Sequence, residues 1–144
     1  MTTGPSEVPE GLLQCGVAFH HIGYATASIE RELPHFVRLG YRPEPSDFVD
    51  SVQGIRGWFL DGPGPRIELL ENHGDSDTLS PWLEKGVRMY HLAWETDDLD
   101  RVLDTHRQWK SRVIVEPVPS AYFTGRRIAF VMQRNGFLVE YIGA

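Results

Sequence analysis

Two histidines lie at matching places in two halves of the chain. His21 is the third residue of the alternating segment Phe19–Thr26, and His91 is the third residue of Met89–Thr96. Both segments carry an aromatic residue in the sixth place and a threonine in the eighth, and the histidines are 70 positions apart (91 minus 21). The chain therefore contains an internal repeat, and chemistry that needs two imidazoles has one available in each half.

Each half also ends in an apolar segment that contains one carboxylate. Glu68 follows His21 by 47 positions (68 minus 21), and Glu140 follows His91 by 49 (140 minus 91). A carboxylate that is buried among apolar neighbours is unfavourable without a partner. Two such carboxylates and two neutral imidazoles can together bind one divalent cation. This set of ligands is compatible with Zn, Co, Mn, Ni or Fe and does not distinguish among them. Strand alternation alone would also allow both glutamates to face solvent, but their matching positions favour a metal site.

Strand alternation argues against two neighbouring candidates for the same site. Glu71 has the opposite strand parity to Glu68, so it is predicted to point to the other face of the sheet. His20 is one residue out of register with His21, so we expect only one of these two histidines to face the site.

A predicted helix and three further strands follow each histidine-bearing strand. Apolar residues at helical spacing, with Ser28 and then Asp97 or Asp98 as N-caps, predict helices over about 28–39 and 97–109. Further strands are predicted over 41–49, 54–60, 66–71, 112–118, 127–132 and 137–141. The sequence therefore predicts an α+β fold in which two βαβββ modules form a cupped, eight-stranded mixed sheet. The modules span about 16–72 and 87–144, and a linker helix spans about 79–86.

The composition predicts one domain, 16–144, after a disordered leader over 1–15. The formal net charge of −6 argues against a nucleic-acid partner, because phosphate binding needs clustered cations. No apolar run approaches the roughly 18 residues of a membrane span, so no membrane partner is expected. Cys15 is the only cysteine, which is typical of a reducing compartment and predicts a cytoplasmic protein.

The chain resembles the vicinal oxygen chelate superfamily, which includes glyoxalases, bleomycin resistance proteins and extradiol dioxygenases. The resemblance implies a glyoxalase-like fold, one divalent metal at His21, Glu68, His91 and Glu140, a small-molecule substrate and a homodimer. Within the superfamily the chain is most similar to the methylmalonyl-CoA epimerase branch. The segments that carry the resemblance are His20–Gly23, Ile67–Glu71, Ser80–Gly86, Tyr90–Ala93, Gly125–Phe130 and Leu138–Tyr141.

The chain departs from the epimerase pattern at two places. Epimerases have a second acid/base glutamate where this chain has Val52. Asp50 lies two residues earlier, on the same face as Val52 in a regular strand, so it is predicted as a substrate-site residue that could replace the glutamate. Tyr122 and Phe123 stand where epimerases have a smaller, more polar loop. With Trp58 and Trp94 they predict an aromatic wall around the substrate, although ordinary core packing is an alternative for these rings.

The resemblance and the predicted metal site favour a divalent-metal-dependent isomerase, epimerase or lyase. Such an enzyme would act on a small carbonyl or acyl-thioester substrate through a metal-stabilised enolate. Glu140 is the first candidate for moving the proton and Glu68 the second, while Arg126 is predicted to contact an anionic group of the substrate. A binding or self-resistance protein for a natural product is the alternative. An extradiol-type dioxygenase is disfavoured, because a fourth protein ligand leaves too few open positions for substrate and O₂.

Overall fold

The fold of residues 11–143, described by a computed structural model, is built around one mixed sheet. Its strands run in the order β2-β4-β5-β1-β6-β9-β8-β7, and β3 pairs with β4 beside β2. The elements are β1 (Ala18–Ala25), α1 (Ile29–Val37), β2 (Arg42–Pro43), β3 (Phe48–Asp50), β4 (Ile55–Asp61), β5 (Ile67–Asn72), α2 (Ser80–Glu84), β6 (Met89–Thr96), α3 (Leu99–Gln108), β7 (Arg112–Pro119), β8 (Arg127–Met132) and β9 (Leu138–Gly143).

The predicted duplication is confirmed by the pairing of the central strands. The two histidine-bearing strands, β1 and β6, pair antiparallel with each other at the middle of the sheet. Each also pairs in parallel with the last strand of its own module, β5 in the first and β9 in the second. The four strands that carry the histidines and glutamates are therefore adjacent, which the sequence repeat requires if the four side chains are to meet.

The two longer helices cover one face of the sheet. Ser28 and Asp98 cap α1 and α3 by accepting hydrogen bonds from backbone N–H groups three residues further on, as predicted. Ile67 and Leu69 pack in the α1 cluster, whereas Leu70, one residue on, belongs to a cluster on the opposite side. Glu68 lies between the first two, so strand alternation directs its carboxylate away from α1.

The predicted strand over 41–49 is interrupted. It forms two short pieces, β2 and β3, which both pair with β4 and so share one edge position of the sheet. Pro43 and Pro45 lack the backbone N–H that a continuous strand would donate, which accounts for the break. The sheet therefore has nine strands where eight were predicted, although the order of the positions is that of two four-stranded modules.

The disordered leader predicted over 1–15 includes residues at its C-terminal end that are part of the fold. Leu13–Cys15 form a 3₁₀ turn, and the side chain of Cys15 is buried against the α3 side of the sheet. Residues 1–10, the rest of the predicted leader, lie outside the described residues. Within 11–143, no helix is long and apolar enough to cross a lipid bilayer.

Candidate metal centre

The side chains of His21, Glu68, His91 and Glu140 converge at one point, and we call them the His/Glu cluster. The Nε2 atom of His21 lies 3.1 Å from the nearer oxygen of each glutamate. The Nε2 atom of His91 lies 3.2 Å from Glu140 Oε1 and 3.5 Å from Glu68 Oε1. One potential ligand atom from each residue lies within 4.8 Å of all the others, and all four side chains are buried. The predicted convergence of two imidazoles and two carboxylates is present in the structure.

The donor atoms of the cluster fit a divalent cation. Two ligand atoms about 2.1 Å from one ion lie roughly 3 to 4 Å apart, which matches the separations in the cluster. Among residues 11–143, both ring nitrogens of His91 and the Oε1 atom of Glu140 are buried without a hydrogen-bond partner. A buried polar atom without a partner is unfavourable by about 1–3 kcal/mol, and coordination of a cation would satisfy His91 Nε2 and Glu140 Oε1 together. The cluster could therefore hold a metal ion, as its four positions predicted.

Without a metal, the cluster is held together by charge. Burial disfavours the charged form of His21, but Glu68 and Glu140 outweigh this effect and raise the pKa of His21 to about 9. The pKa of His91 is likewise raised by the two glutamates against the effect of burial. Burial alone would raise the pKa of Glu68, yet the two histidines lower it to about 2. Metal binding must displace the imidazole protons, so the affinity of the cluster for a cation rises with pH up to about 9.

We expect the metal-free protein to lose stability as the pH rises from neutral to alkaline values. The pKa of His21 is raised from 6.5 to about 9 on folding, so its contribution is complete below pH 6.5 and is lost as the pH rises through about 9. Urea unfolding of chelator-treated protein at about pH 6 and about pH 9.5 measures this loss. His21→Gln is the control, and its free energy of unfolding should fall less over the same range. Equal pH dependence of the two proteins would contradict this assignment.

Small residues between the cluster side chains make their convergence possible. Gly23 of β1 lies opposite both Glu68 and His91 in the sheet, and Ala93 of β6 lies opposite both His21 and Glu140. A Cβ atom on Gly23 would overlap the imidazole ring of His91. Gly23 and Ala93 occupy the same place in the repeat. Each module therefore has a small residue opposite the histidine of the other module, which leaves room for that imidazole ring.

Irregular pairing in the two central strands places two further rings beside the cluster. The pairing of β1 with β6 shifts by one residue at His20, and again at Tyr90. Each shifted residue directly precedes a cluster histidine, and ring centroids are 5.1 Å apart for His20 and His21 and 4.5 Å for Tyr90 and His91. The prediction that only one of His20 and His21 faces the site is therefore wrong, because a β-bulge turns both side chains to the same side.

The position of His20 lets it orient His21. The Nδ1 atoms of the two rings are 2.8 Å apart. Coordination of a metal through Nε2 of His21 leaves its Nδ1 as an N–H donor, and His20 Nδ1 is then the acceptor. Burial, followed by the nearby His21 and Arg66, lowers the pKa of His20 to about 4, which keeps this ring neutral and able to accept.

Loss of this acceptor is expected to weaken metal binding about 10- to 100-fold. His20→Phe keeps a planar ring against Phe123 but removes both nitrogens, whereas His20→Asn restores an acceptor oxygen. Competition with a chromophoric chelator measures the affinity of each variant for cobalt(II). If the Phe variant binds cobalt as tightly as the unmodified protein, His20 does not orient its neighbour.

A small cavity of about 20 Å³ adjoins the cluster. Three of the residues predicted to bind substrate line it, namely Asp50, Tyr122 and Phe123. Phe59 of β4 was not predicted at the site. It lies opposite Glu68 of β5, and its ring packs on His21 with centroids 5.0 Å apart. A cavity of this volume holds about one water molecule. The structure therefore shows the site in a closed form.

The loop over residues 120–125, which we call the closing loop, shuts the cavity. It belongs to the second module, yet the Tyr122 hydroxyl donates a 3.0 Å hydrogen bond to Glu44 of the first. Arg66 donates to both oxygens of the same carboxylate at 2.6 and 2.7 Å. Burial would raise the pKa of Glu44, but Arg66 and Tyr122 hold it below its usual value. These contacts connect the closing loop to the first module beside the cluster.

Three residues predicted around the substrate lie elsewhere. Trp94 packs in the apolar cluster on the α3 side of the sheet. Trp58 faces the α1 side of the sheet, because it alternates with Phe59 along β4, and its indole N–H donates to the Glu44 carbonyl. Arg126 does not line the cavity; its guanidinium donates to the Gly143 carbonyl and pairs with Glu95 at 3.3 Å. The aromatic wall of the cavity is instead formed by Phe48, Tyr90, Tyr122, Phe123 and Phe130.

Asp50 and Val52 do not share a strand face, because the chain turns directly after Asp50. Val52 lies in this turn with 82% of its surface exposed, so it contributes nothing to the cavity. The Asp50 carboxylate accepts hydrogen bonds from the backbone N–H groups of Val52 and Gln53 and from the Gln53 side chain. The carboxylate thus borders the cavity and holds the turn at the same time.

The fold agrees with the comparison with known families. Residues 20–130 match the glyoxalase/bleomycin resistance protein/dioxygenase superfamily. The chain belongs to this superfamily, as its sequence motifs predicted.

The relatives within this superfamily include several acyl-CoA epimerases. The chain is 28% identical over 100 residues to an ethylmalonyl-CoA/methylmalonyl-CoA epimerase from Cereibacter sphaeroides, covering 67% of this chain and 73% of that one. It shares its fold with a methylmalonyl-CoA epimerase from Mycobacterium tuberculosis (TM-score 0.74, 24% identity, 87% of this chain and 86% of that one). A variant of the Streptomyces coelicolor methylmalonyl-CoA epimerase, solved with 2-nitronate-propionyl-CoA, aligns with a TM-score of 0.72 and 26% identity over 88% and 96% of the chains.

Proposed function

We propose that this protein is a metal-dependent epimerase, or a related isomerase or lyase, that removes a proton beside the carbonyl of an acyl-CoA thioester. The observation that carries the proposal is the buried His/Glu cluster, whose two glutamates line the adjoining cavity. Similarity to acyl-CoA epimerases supports the substrate class. The cation is proposed to be one of Zn, Co, Mn, Ni and Fe.

The chemistry divides between the cation and the side chains around it. A bound divalent ion supplies Lewis acidity, which favours negative charge on a carbonyl oxygen. Glu140 is the proposed proton acceptor, because its carboxylate lines the cavity. Its Oε1 is also the atom that a cation would contact, so the carboxylate would have to leave the cation to take the proton. Glu68 is the second candidate: both glutamates lie 3.1 Å from His21 Nε2, but only the Glu68 contact has the geometry of a hydrogen bond. The aromatic wall excludes water, which would otherwise compete for the proton.

A two-base epimerisation needs a second acid on the other face of the substrate carbon. Asp50 is the proposed second residue, since its carboxylate borders the cavity. Three hydrogen bonds from the following turn occupy it in the closed form. Asp50→Asn is therefore expected to abolish inversion at the carbon while leaving proton removal by Glu140 in place. If Glu140 were the only base, the substitution would leave inversion and proton removal equally unaffected.

Incubation of the metal-loaded protein with one enantiomer of methylmalonyl-CoA or ethylmalonyl-CoA in D₂O tests the proposal. We expect deuterium at the carbon between the two carbonyls together with the opposite enantiomer, followed by mass spectrometry and chiral analysis. No deuterium uptake with any of the five metals would overturn the proposal. Uptake without inversion would exclude an epimerase and leave an isomerase or lyase.

A binding protein for an aromatic natural product is the second candidate function. The aromatic wall of the cavity favours it, since aromatic ligands stack on such walls. It predicts tight ligand binding without deuterium uptake in the experiment above.

A cytoplasmic location and a homodimer stay sequence-based predictions within this proposal. Light scattering after size-exclusion chromatography distinguishes one chain from two.

A further inference from the structure

A groove on the α3 side of the sheet lies behind the metal centre, and we call it the aromatic groove. It has a volume of about 290 Å³. Small-molecule sites begin at roughly this size, about 300 Å³. Val139 and Tyr141 flank Glu140 on β9, so the aromatic groove and the metal cavity lie on opposite faces of the sheet. The walls of the aromatic groove include Trp94, Trp109, Phe137, Val139 and Tyr141.

The polar groups of the aromatic groove pair with each other. The Tyr141 hydroxyl lies 2.7 Å from His106 Nε2, and His106 Nδ1 lies 3.3 Å from the Ser111 hydroxyl. Burial lowers the pKa of His106, so at neutral pH its ring is uncharged and its Nε2 accepts a hydrogen bond from the tyrosine. The lining of the aromatic groove therefore carries no charge of its own.

A second groove, with a volume of about 330 Å³, adjoins the first, and we call it the basic groove. Lys110, Arg112 and Arg134 line it, and Gln133 lines both grooves. Within residues 11–143, none of the three cations forms an ion pair. No acidic side chain of those residues lines either groove. In a chain with a net charge of −6, this place is locally positive.

Two turns bring the aromatic rings and the cations together. The turn after α3 contributes Trp109 to the aromatic groove and the next residue, Lys110, to the basic groove. The turn between β8 and β9 contributes Arg134 to the basic groove and Phe137 to the aromatic groove. Both rings remain partly exposed, Trp109 by 46% and Phe137 by 37%, so a ligand can still cover them. A molecule with its ring between them presents its other end to the cations.

We propose that the two grooves together bind a small aromatic carboxylate, with its ring in the aromatic groove and its acid group on the cations of the basic groove. Aromatic rings pack on aromatic walls through offset or edge contacts. Guanidinium groups bind carboxylates through paired N–H donors, which favours this anion at Arg112 and Arg134. Charge complementarity selects an anion over a neutral ligand. The site lies apart from the metal cavity, so the inference does not depend on the proposed function.

Calorimetry with 1-naphthylacetate and 1-naphthylacetamide tests the inference, because the two probes have the same ring and nearly the same size but only the first is charged. In the metal-loaded protein we expect the carboxylate to bind about tenfold more tightly than the amide, equivalent to about 1.4 kcal/mol. Arg112→Glu/Arg134→Glu should remove this preference and leave the Kd of the amide unchanged. Trp109→Ala should weaken both probes, because it removes a wall that they share.

The matched control is Arg31→Glu/Arg38→Glu, which changes the net charge equally on the exposed surface of the first module. It should retain most of the preference for the carboxylate. Equal Kd values for the two probes in the unmodified protein would overturn the inference, as would equal loss of the preference in the groove variant and the control variant. Circular dichroism of each variant verifies that the exposed substitutions leave the fold intact.

Two other occupants of this face would each overturn the inference. A second copy of the chain covers the face if Trp109→Ala lowers the mass measured by light scattering from two chains to one. An anionic bilayer covers it if the protein sediments with phosphatidylglycerol vesicles but not with phosphatidylcholine vesicles, while neither naphthyl probe binds. Deuterium exchange at the metal centre is measured separately, and its outcome does not alter these results.

Discussion

Glu140→Gln is expected to slow deuterium exchange into an acyl-CoA substrate by about 100- to 10,000-fold, the range for loss of a general base. The substitution keeps the size and one oxygen of the side chain but removes its capacity to take a proton. Glu140 Oε1 lies 3.1 and 3.2 Å from the two cluster imidazoles, so an amide oxygen can still reach a cation held by the other three residues. The loss should therefore appear in kcat more than in the metal content.

Glu68→Gln is the matched control for this prediction. Glu68 takes the equivalent place in the first module, and it accepts a hydrogen bond from His21 at 3.1 Å. We expect this variant to lower metal affinity as much as Glu140→Gln does, with a smaller effect on exchange per bound metal. Metal content by elemental analysis is measured beside the exchange rate. Equal exchange rates per bound metal in the two variants would contradict the prediction, because they would mean that both carboxylates, or neither, remove the proton from the substrate.

Metal loading is expected to raise the unfolding temperature by about 10 °C. A ligand that binds only the folded state at a hundred times its Kd stabilises it by about 2.7 kcal/mol. In a domain of this size each kcal/mol shifts Tm by roughly 3 to 5 °C. The shift arises because the four ligand atoms come together only in the folded chain, so the cation binds that state alone. Differential scanning calorimetry with and without zinc, cobalt or manganese measures it.

The control for metal loading uses two histidines with different surroundings. His91→Gln removes a cluster nitrogen and should abolish most of the shift, whereas His73→Gln alters an exposed side chain and should leave it intact. A shift of equal size in both variants would place the cation outside the cluster. Absence of any shift in the unmodified protein, for every metal tried, would remove the metal site altogether.

The sequence predicted the cluster because repetition carries long-range information. Single residues such as Glu68 are ambiguous, since strand alternation allows either face, but the same pattern 70 positions later restricts the choice. Helix caps at Ser28 and Asp98 were predictable for a different reason, because capping depends only on residues within one turn.

The surroundings of the cluster were harder to predict, because they depend on register. One bulge in the β1–β6 pairing places both His20 and His21 at the site, and no local pattern in Phe19–Thr26 announces it. Trp58 was assigned to the cavity and Phe59 was missed, because the strand was identified without its phase relative to β5. The repeat did contain one signal of the bulges: His20 and Tyr90, the two shifted residues, occupy the same place in their modules.

The two modules contribute equally to the His/Glu cluster, and this has a consequence for how such a protein can arise. The antiparallel β1–β6 pairing relates the two modules by an approximate twofold axis, and each contributes one imidazole and one carboxylate. A polypeptide with a single module would hold only half of the ligands, and it would complete the site by self-association about that same axis. Tandem fusion makes this association intramolecular, so the two halves became free to diverge, one providing Glu44 and the other the tyrosine that contacts it.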